Sequence, residues 1–185
     1  MITAIDASVL VYLLDDSAAA PIETGTGQPV TDCKARVDHL VETLAKRQDK
    51  LVIPTPSLTE VLVRAGAAGP EWLRLLKQSR HVRFGDFDER AAIECAIMAA
   101  KRLANGGGAG RRSKAKFDEQ IVAIANVAGA KIIYSEDADI AGLVRDGVQV
   151  IGIAALPLPP ASAQPDLLDQ LAKPADDQPP APGSG

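Results

Sequence analysis

With 185 residues and a formal net charge of −4, the chain is long enough for one domain with a sizeable core, and it is too weakly charged to bind nucleic acid over its whole surface. Its two cysteines, Cys33 and Cys95, show no metal-ligand or redox spacing, which predicts reduced, structural thiols. No stretch is long and apolar enough to span a bilayer, and the start lacks a signal-peptide pattern. We therefore expect a soluble cytoplasmic protein with no membrane partner.

The first predicted element is a short buried strand that ends at Asp6. Val9, Leu10 and Leu13 then repeat at helical spacing, so a helix should follow at once. In open parallel sheets, ligands bind in the crevice outside the carboxyl ends of the strands. Asp6, at the junction of strand and helix, is therefore the first candidate functional residue.

The rest of the chain alternates strand and helix patterns, which predicts an α/β fold: a mainly parallel central sheet flanked by helices on both faces. In the long alanine-rich helix, Ile93, Ile97 and Ala100 are predicted to face the core. The expected elements are a loop insertion over 15–30, a helix capped near Thr31, a strand at 51–53, helices opening at Pro56 and Pro70, a weak strand at 81–84, helices over 88–103 and from about Phe117, a strand at 132–134, a helix over 137–145 and a strand at 148–151.

Composition changes near residue 155. Residues 156–185 hold 8 of the 13 prolines and −3 of the net charge and show no apolar periodicity. This composition is typical of a linker or disordered tail. The prediction is a folded domain over 1–155, followed by a proline-rich tail.

Four acids fall where strands pass into helices or where helices open: Asp6, Glu60, Asp118 and Asp137. Each alone has a simpler explanation, as a helix cap, as the partner of Ser57 in a capping box, or as a favourable charge in a first helical turn. Together, the strand-end rule collects them at one edge of the sheet. Crowded carboxylates without histidine or cysteine favour Mg²⁺, or Mn²⁺ as its substitute. Such metals catalyse phosphodiester hydrolysis through an activated water.

The four segments Ile-Asp-Ala-Ser-Val-Leu, Pro-Ser-Leu-Thr-Glu-Val, Phe-Asp-Glu-Gln-Ile-Val-Ala-Ile-Ala and Ile-Tyr-Ser-Glu-Asp-Ala-Asp-Ile resemble the acidic motifs of the PIN domain, and most of all those of VapC-like ribonuclease toxins. The resemblance covers residues 1 to about 155. It implies a metal-dependent endoribonuclease, usually a homodimer, inhibited by a cognate antitoxin. It also implies that Asp6, Glu60, Asp118 and Asp137 are catalytic metal ligands and that Ser8 and Ser135 are the hydroxyl positions, with Asp139 a possible helper or substitute for Asp137.

A basic strip precedes Asp118, on what the sequence suggests is a glycine-hinged loop: Arg111, Arg112, Lys114 and Lys116. A solvated loop explains it equally well. As a functional feature it would hold the phosphate backbone of RNA beside the metals, with Arg112 and Lys114 as the chief substrate-binding residues.

Two other functions stay open. An acid after a first strand is also typical of aspartyl-phosphate phosphotransfer domains, which would require a lysine on a late strand beside the acids. Lys131 precedes its strand instead of ending it, which weakens this alternative. The second alternative is a catalytically silent module that keeps the fold and a partner surface; the presence of all four acids argues against it.

Overall fold

The computed structural model describes residues 1–104 and 112–160, and the side chains of all of these except 112 and 113. A parallel sheet forms its centre, with strand order β3-β2-β1-β4-β5. Every adjacent pair of strands is parallel, so the predicted sheet is confirmed. The strands are β1 (Ile2–Ile5), β2 (Lys50–Pro54), β3 (Val82–Gly85), β4 (Ile132–Tyr134) and β5 (Gln149–Ile151).

Helices connect the strands. They are α1 (Ala7–Leu14), α2 (Cys33–Lys46), α3 (Thr55–Ala65), α4 (Gly69–Gln78), α5 (Glu89–Ala104), α6 (Arg112–Ala128) and α7 (Ala138–Leu143). Short 3₁₀ turns lie at Gly66–Ala68 and Ile153–Ala155. None of the helices in the described part of the chain is long and apolar enough to cross a membrane.

Each face of the sheet has its own apolar core, because alternate residues of a strand point to opposite faces. Ile5 and Ile53 pack with the α1 to α4 side of the molecule. Ala4, Val52 and Ile133 pack with the buried stripe of α6 on the other side. Helices therefore cover both faces, as the sequence predicts.

The strand order reverses around β1, which has β2 on one side and β4 on the other. Thr3 is in register with Leu51 on the first side and with Ile132 on the second. This reversal is the point where open α/β sheets form their ligand crevice. Asp6 directly follows β1 and Ser135 directly follows β4, so both lie at this crevice.

The predicted inner face of α5 is wrong. Ile93 and Ile97 are 57% and 49% exposed, and Ala100 is exposed as well. Ala91 is instead buried, and Cys95 packs against the same core cluster. Two faces of this alanine-rich helix have residues at the same three-to-four spacing. The face with Ala91 and Cys95 packs on the core, and Arg102 and Glu94 of α5 make polar contacts to α6.

Two helix starts also differ from prediction. Helix α2 begins at Cys33, so its N-cap residue is Asp32 in place of Thr31; Asp32 has a left-handed backbone and makes no side-chain capping bond. Helix α6 begins at Arg112, more than a turn before Phe117. Asp118 is therefore not in a first helical turn, and Lys114 and Lys116 are helical residues.

Other predictions fall partly outside the described residues. Arg111 and the glycine segment over 105–110 are not described, and neither is 161–185, most of the predicted tail. Residues 15–32 contain no helix or strand, only one antiparallel bridge between Ile22 and Pro29. That 15–30 is an insertion, and that the domain ends at 155, stay predictions.

Candidate active site

Asp6 is held in place by three serine hydroxyls. It is the N-cap residue of α1 and accepts a hydrogen bond from Ser8 Oγ at 2.7 Å. Ser57 Oγ, from the start of α3, donates to the other carboxylate oxygen at 3.2 Å, and Ser135 Oγ donates to the first at 3.2 Å. The capping explanation of Asp6 is thus correct but incomplete, since this carboxylate also joins three separate elements.

Backbone amides fix the direction of two of these bonds. Ser8 Oγ accepts from the Glu136 amide at 3.1 Å, and Ser135 Oγ accepts from the Asp137 amide at 3.0 Å. Because each hydroxyl has one proton, both are left to donate it to Asp6. The network ties the end of β1 to the end of β4, and it orients Asp6. Direct contact of Ser8 or Ser135 with substrate stays a prediction.

Beside Asp6, three carboxylates form a cluster. Asp118 is buried on α6, Asp137 is the N-cap residue of α7, and Asp139 lies in the first turn of that helix. One oxygen of each lies within 4.8 Å of the others, a spacing that fits a metal ion. Asp137 also caps α7 by accepting from the Asp139 amide at 2.8 Å, which leaves its second oxygen for the cluster.

Lys114 lies at the centre of this cluster. Its ammonium nitrogen is 2.5 Å from Asp139, 2.8 Å from Asp137 and 3.4 Å from Asp118. Hydrogen bonds to Asp137 and Asp139 raise the pKa of the lysine, so it carries its positive charge at all physiological pH values. The prediction that Lys114 lies on a glycine-hinged loop is wrong, because it is a residue of α6; the i, i+4 spacing to Asp118 was the available signal for its helical position. Contact of Lys114 with RNA stays a prediction.

Glu60 on α3 provides the fourth acid. The residue is exposed overall, but partial desolvation of its carboxyl group is the largest cause of a raised pKa. The charges of Asp6, Asp118 and Asp137 raise this pKa further, while Lys114 lowers it. These remote segments therefore place their charges within electrostatic reach of one another. The capping-box explanation of Glu60 fails, because α3 begins at Thr55 and the Ser57 hydroxyl donates to Asp6.

Asp118 carries a similar electrostatic load. The pKa of the Asp118 carboxyl is raised overall, chiefly because the group is desolvated by burial. The charge of Lys114 lowers this pKa, and the charge of Asp137 raises it. The macrodipole explanation does not apply to Asp118, since it lies in the second turn of α6. A nearby cation such as Lys114 therefore favours its ionised form.

The electrostatics of Glu60 lead to a prediction. An acid whose pKa is raised in the folded state costs nothing below its unfolded pKa and destabilises the fold as pH rises through the folded pKa. We expect Glu60→Gln to raise the Tm at pH 7 without divalent ions, and the gain to disappear near pH 4. Melting curves in EDTA over this pH range test it, with Glu42→Gln, an exposed glutamate on α2, as control. A lower Tm for Glu60→Gln at pH 7 would contradict the electrostatic account.

No protein-family model and no curated protein matches the chain. Solved structures do. VapBC2 from Rickettsia felis bound to a DNA fragment from their promoter matches at a TM-score of 0.58 and 13% identity, over 82% of this chain and 98% of that one. DNA-bound VapBC from Salmonella typhimurium matches at 0.54 and 14% (83% and 99% covered), and VapBC-1 from nontypeable Haemophilus influenzae at 0.54 and 15% (83% and 98% covered).

The chain has the fold of these VapBC proteins. The resemblance to the VapC-type PIN domain is thus confirmed at the level of fold, and so is the α/β/α architecture. Within this VapC-type fold, Asp6, Glu60, Asp118 and Asp137 all lie near the carboxyl edge of the sheet.

The cluster fits a hard divalent cation. Its donors are carboxylate oxygens, which Mg²⁺ and Mn²⁺ prefer, and two of the three belong to partly exposed side chains that can adjust. Asp139 was considered only as a helper, yet it belongs to this group together with Asp118 and Asp137. Asp6 and Glu60 are outside the group, and their direct ligation of metal stays a prediction.

The structure also bears on the phosphotransfer alternative. Lys131 lies at the opposite edge of the sheet, where its amide pairs with the carbonyl of Ile2, the first residue of β1. Lys131 therefore does not supply the lysine that such a mechanism requires beside the acids.

Ser57 is the site residue that sequence reasoning missed, because its spacing to Glu60 had suggested a capping box.

Proposed function

We propose that this protein is a divalent-cation-dependent endoribonuclease and the toxin of a type II toxin-antitoxin pair. The observation that carries the proposal is the convergence of Asp6, Glu60, Asp118 and Asp137 at one sheet edge, joined by Asp139, within a VapC-type fold. Bringing four acids from remote segments close together costs free energy, because like charges repel. A site of this kind is the expected arrangement for phosphodiester hydrolysis.

In the proposed mechanism, Asp118, Asp137 and Asp139 would hold Mg²⁺, with Mn²⁺ as a substitute. The ion, when bound, would polarise the phosphoryl oxygens and lower the pKa of the attacking water. Asp6, fixed by its three serines, orients this end of the site. Glu60, whose pKa is raised, is suited to accept a proton from water. The basic residues Arg112 and Lys114 are proposed to contact the RNA backbone.

The proposed partners follow from the neighbouring structures. These are VapBC pairs, two of them bound to DNA, and one of those to its own promoter fragment. By analogy, we propose that a cognate antitoxin binds this chain across the acidic edge and blocks it. We further propose that the protein acts as a homodimer in the cytoplasm.

The decisive experiment measures cleavage of structured RNA by the purified full-length protein. We expect cleavage with Mg²⁺ or Mn²⁺, none with EDTA, and a loss of at least about 100-fold in Asp118→Asn, since even indirect supports of a metal site typically contribute 10- to 100-fold. Cleavage that persists in EDTA, or equally in Asp118→Asn, would overturn the proposal.

A further inference from the structure

Lys114 occupies the place that a metal ion would take. The three carboxylates whose oxygens lie within 4.8 Å of each other are the same three that pair with its ammonium group. The contacts to Asp137 and Asp139, at 2.8 and 2.5 Å, are short charge-assisted bonds. The lysine therefore already neutralises part of the charge that a divalent cation would neutralise.

The two cations exclude each other. Mg²⁺ needs carboxylate oxygens at about 2.1 Å in near-octahedral geometry. An ammonium group bonded to those same oxygens occupies the space between them and repels the incoming ion. Binding of the metal to Asp118, Asp137 and Asp139 therefore requires the lysine to leave.

The ammonium group of Lys114 can move out of the carboxylate cluster while its backbone stays in place. Its side chain is 54% exposed, so the ammonium group can move into solvent. Its backbone cannot follow, because α6 is anchored in the core through Ile121, Val122 and Ile124. A flexible four-carbon stem on a fixed helix keeps the charge at high effective concentration beside the cluster.

We propose that Lys114 is a tethered competitor of the divalent cation. This inference rests on the proposed metal-dependent function and adds to it an internal control of metal affinity. A protein whose binding-competent state is only fractionally populated has an affinity reduced by that fraction. If the ammonium group is in place nine-tenths of the time, the metal binds about tenfold more weakly than to the open cluster. The chain would then respond to changes in divalent ion concentration at levels set by this lysine.

Calorimetric titration of the full-length protein with Mn²⁺ tests the inference directly. We expect Lys114→Met to bind Mn²⁺ about tenfold more tightly than the wild type. Lys116→Met removes the same charge from an exposed position on the same helix, and it should change the affinity by less than about twofold, as screened surface charges do. Equal or weaker binding by Lys114→Met would overturn the inference and leave the nuclease proposal standing.

Melting temperatures provide a second readout. Without divalent ions, Lys114→Met should melt below the wild type, because three carboxylates lose their counter-ion. Saturating Mn²⁺ should then raise its Tm by more than it raises that of the wild type. An equal rise in both proteins would count against competition. If neither protein bound Mn²⁺ in either assay, the metal-dependent function would itself fail, and this inference with it.

Discussion

Asp6→Asn is expected to lower Mg²⁺-dependent RNA cleavage by at least about 100-fold. The substitution removes one of the charges that converge on the proposed metal site. It also replaces a carboxylate oxygen with an NH₂ donor that faces hydroxyls already donating to this side chain. The cost to stability of the mispaired donors is about 1 to 3 kcal/mol. Cleavage assays and urea unfolding of the same preparation separate the two effects.

Asp49→Asn is the matched control for this variant. Asp49 is 5% exposed, comparable with 6% for Asp6, and it pairs with the amino group of Met1 at the opposite edge of the sheet. It should lose stability but keep its cleavage rate per folded molecule. A similar loss of cleavage in both variants would show that Asp6 acts only through stability. Full cleavage by Asp6→Asn would remove Asp6 from the site.

Ser57→Ala separates orientation from charge at the same position. It keeps the Asp6 carboxylate and removes only one donor, so we expect cleavage to fall by about 10-fold, the lower end of the effect of a group that orients a metal site.

The strands, and the sheet edge at which their carboxyl ends meet, were predictable because they depend on residues that are close together in the sequence. A short apolar run that ends at an acid, as before Asp6, has few alternatives to a buried strand, and alternation of strand and helix patterns implies a parallel sheet. The strand-end rule then brings remote junctions together without knowledge of the packing. Most of the fold, and the neighbourhood of the four acids, follow from these two steps.

Features that depend on the choice between equivalent packings were not predictable. The face of α5 is one, because Ile93 and Ile97 have the same spacing as the residues that are actually buried. The position of Lys114 is another, since it depends on α6 beginning at Arg112 and on α7 bringing Asp137 and Asp139 alongside. Ser57 lies at a helix start, where a capping role is the simplest explanation of its hydroxyl.

The face of α5 depends on a buried ion pair that gives the second large expected effect. Glu119, beside Asp118 on α6, is 1% exposed, and Arg102 of α5 donates to it through Nε at 2.6 Å and Nη2 at 3.5 Å. This hydrogen bonding raises the pKa of Arg102. Asn126 adds a second polar contact between the helices by donating to Glu94 at 3.0 Å. Together these contacts turn Ile93 and Ile97 outward.

We expect Arg102→Ala to lower the free energy of unfolding by about 3 kcal/mol, the lower end of the range for leaving one partner of a buried pair uncompensated, because the arginine side chain is 21% exposed. Arg74→Ala breaks the exposed pair with Glu71 on α4 and should cost far less, because solvent screens exposed ion pairs. Urea unfolding at pH 7 compares the two. Because apolar groups can replace a buried pair at little cost, the double variant Arg102→Met with Glu119→Leu should recover most of the loss. Equal losses in Arg102→Ala and Arg74→Ala would contradict this account, and α5 would then be oriented by apolar packing alone.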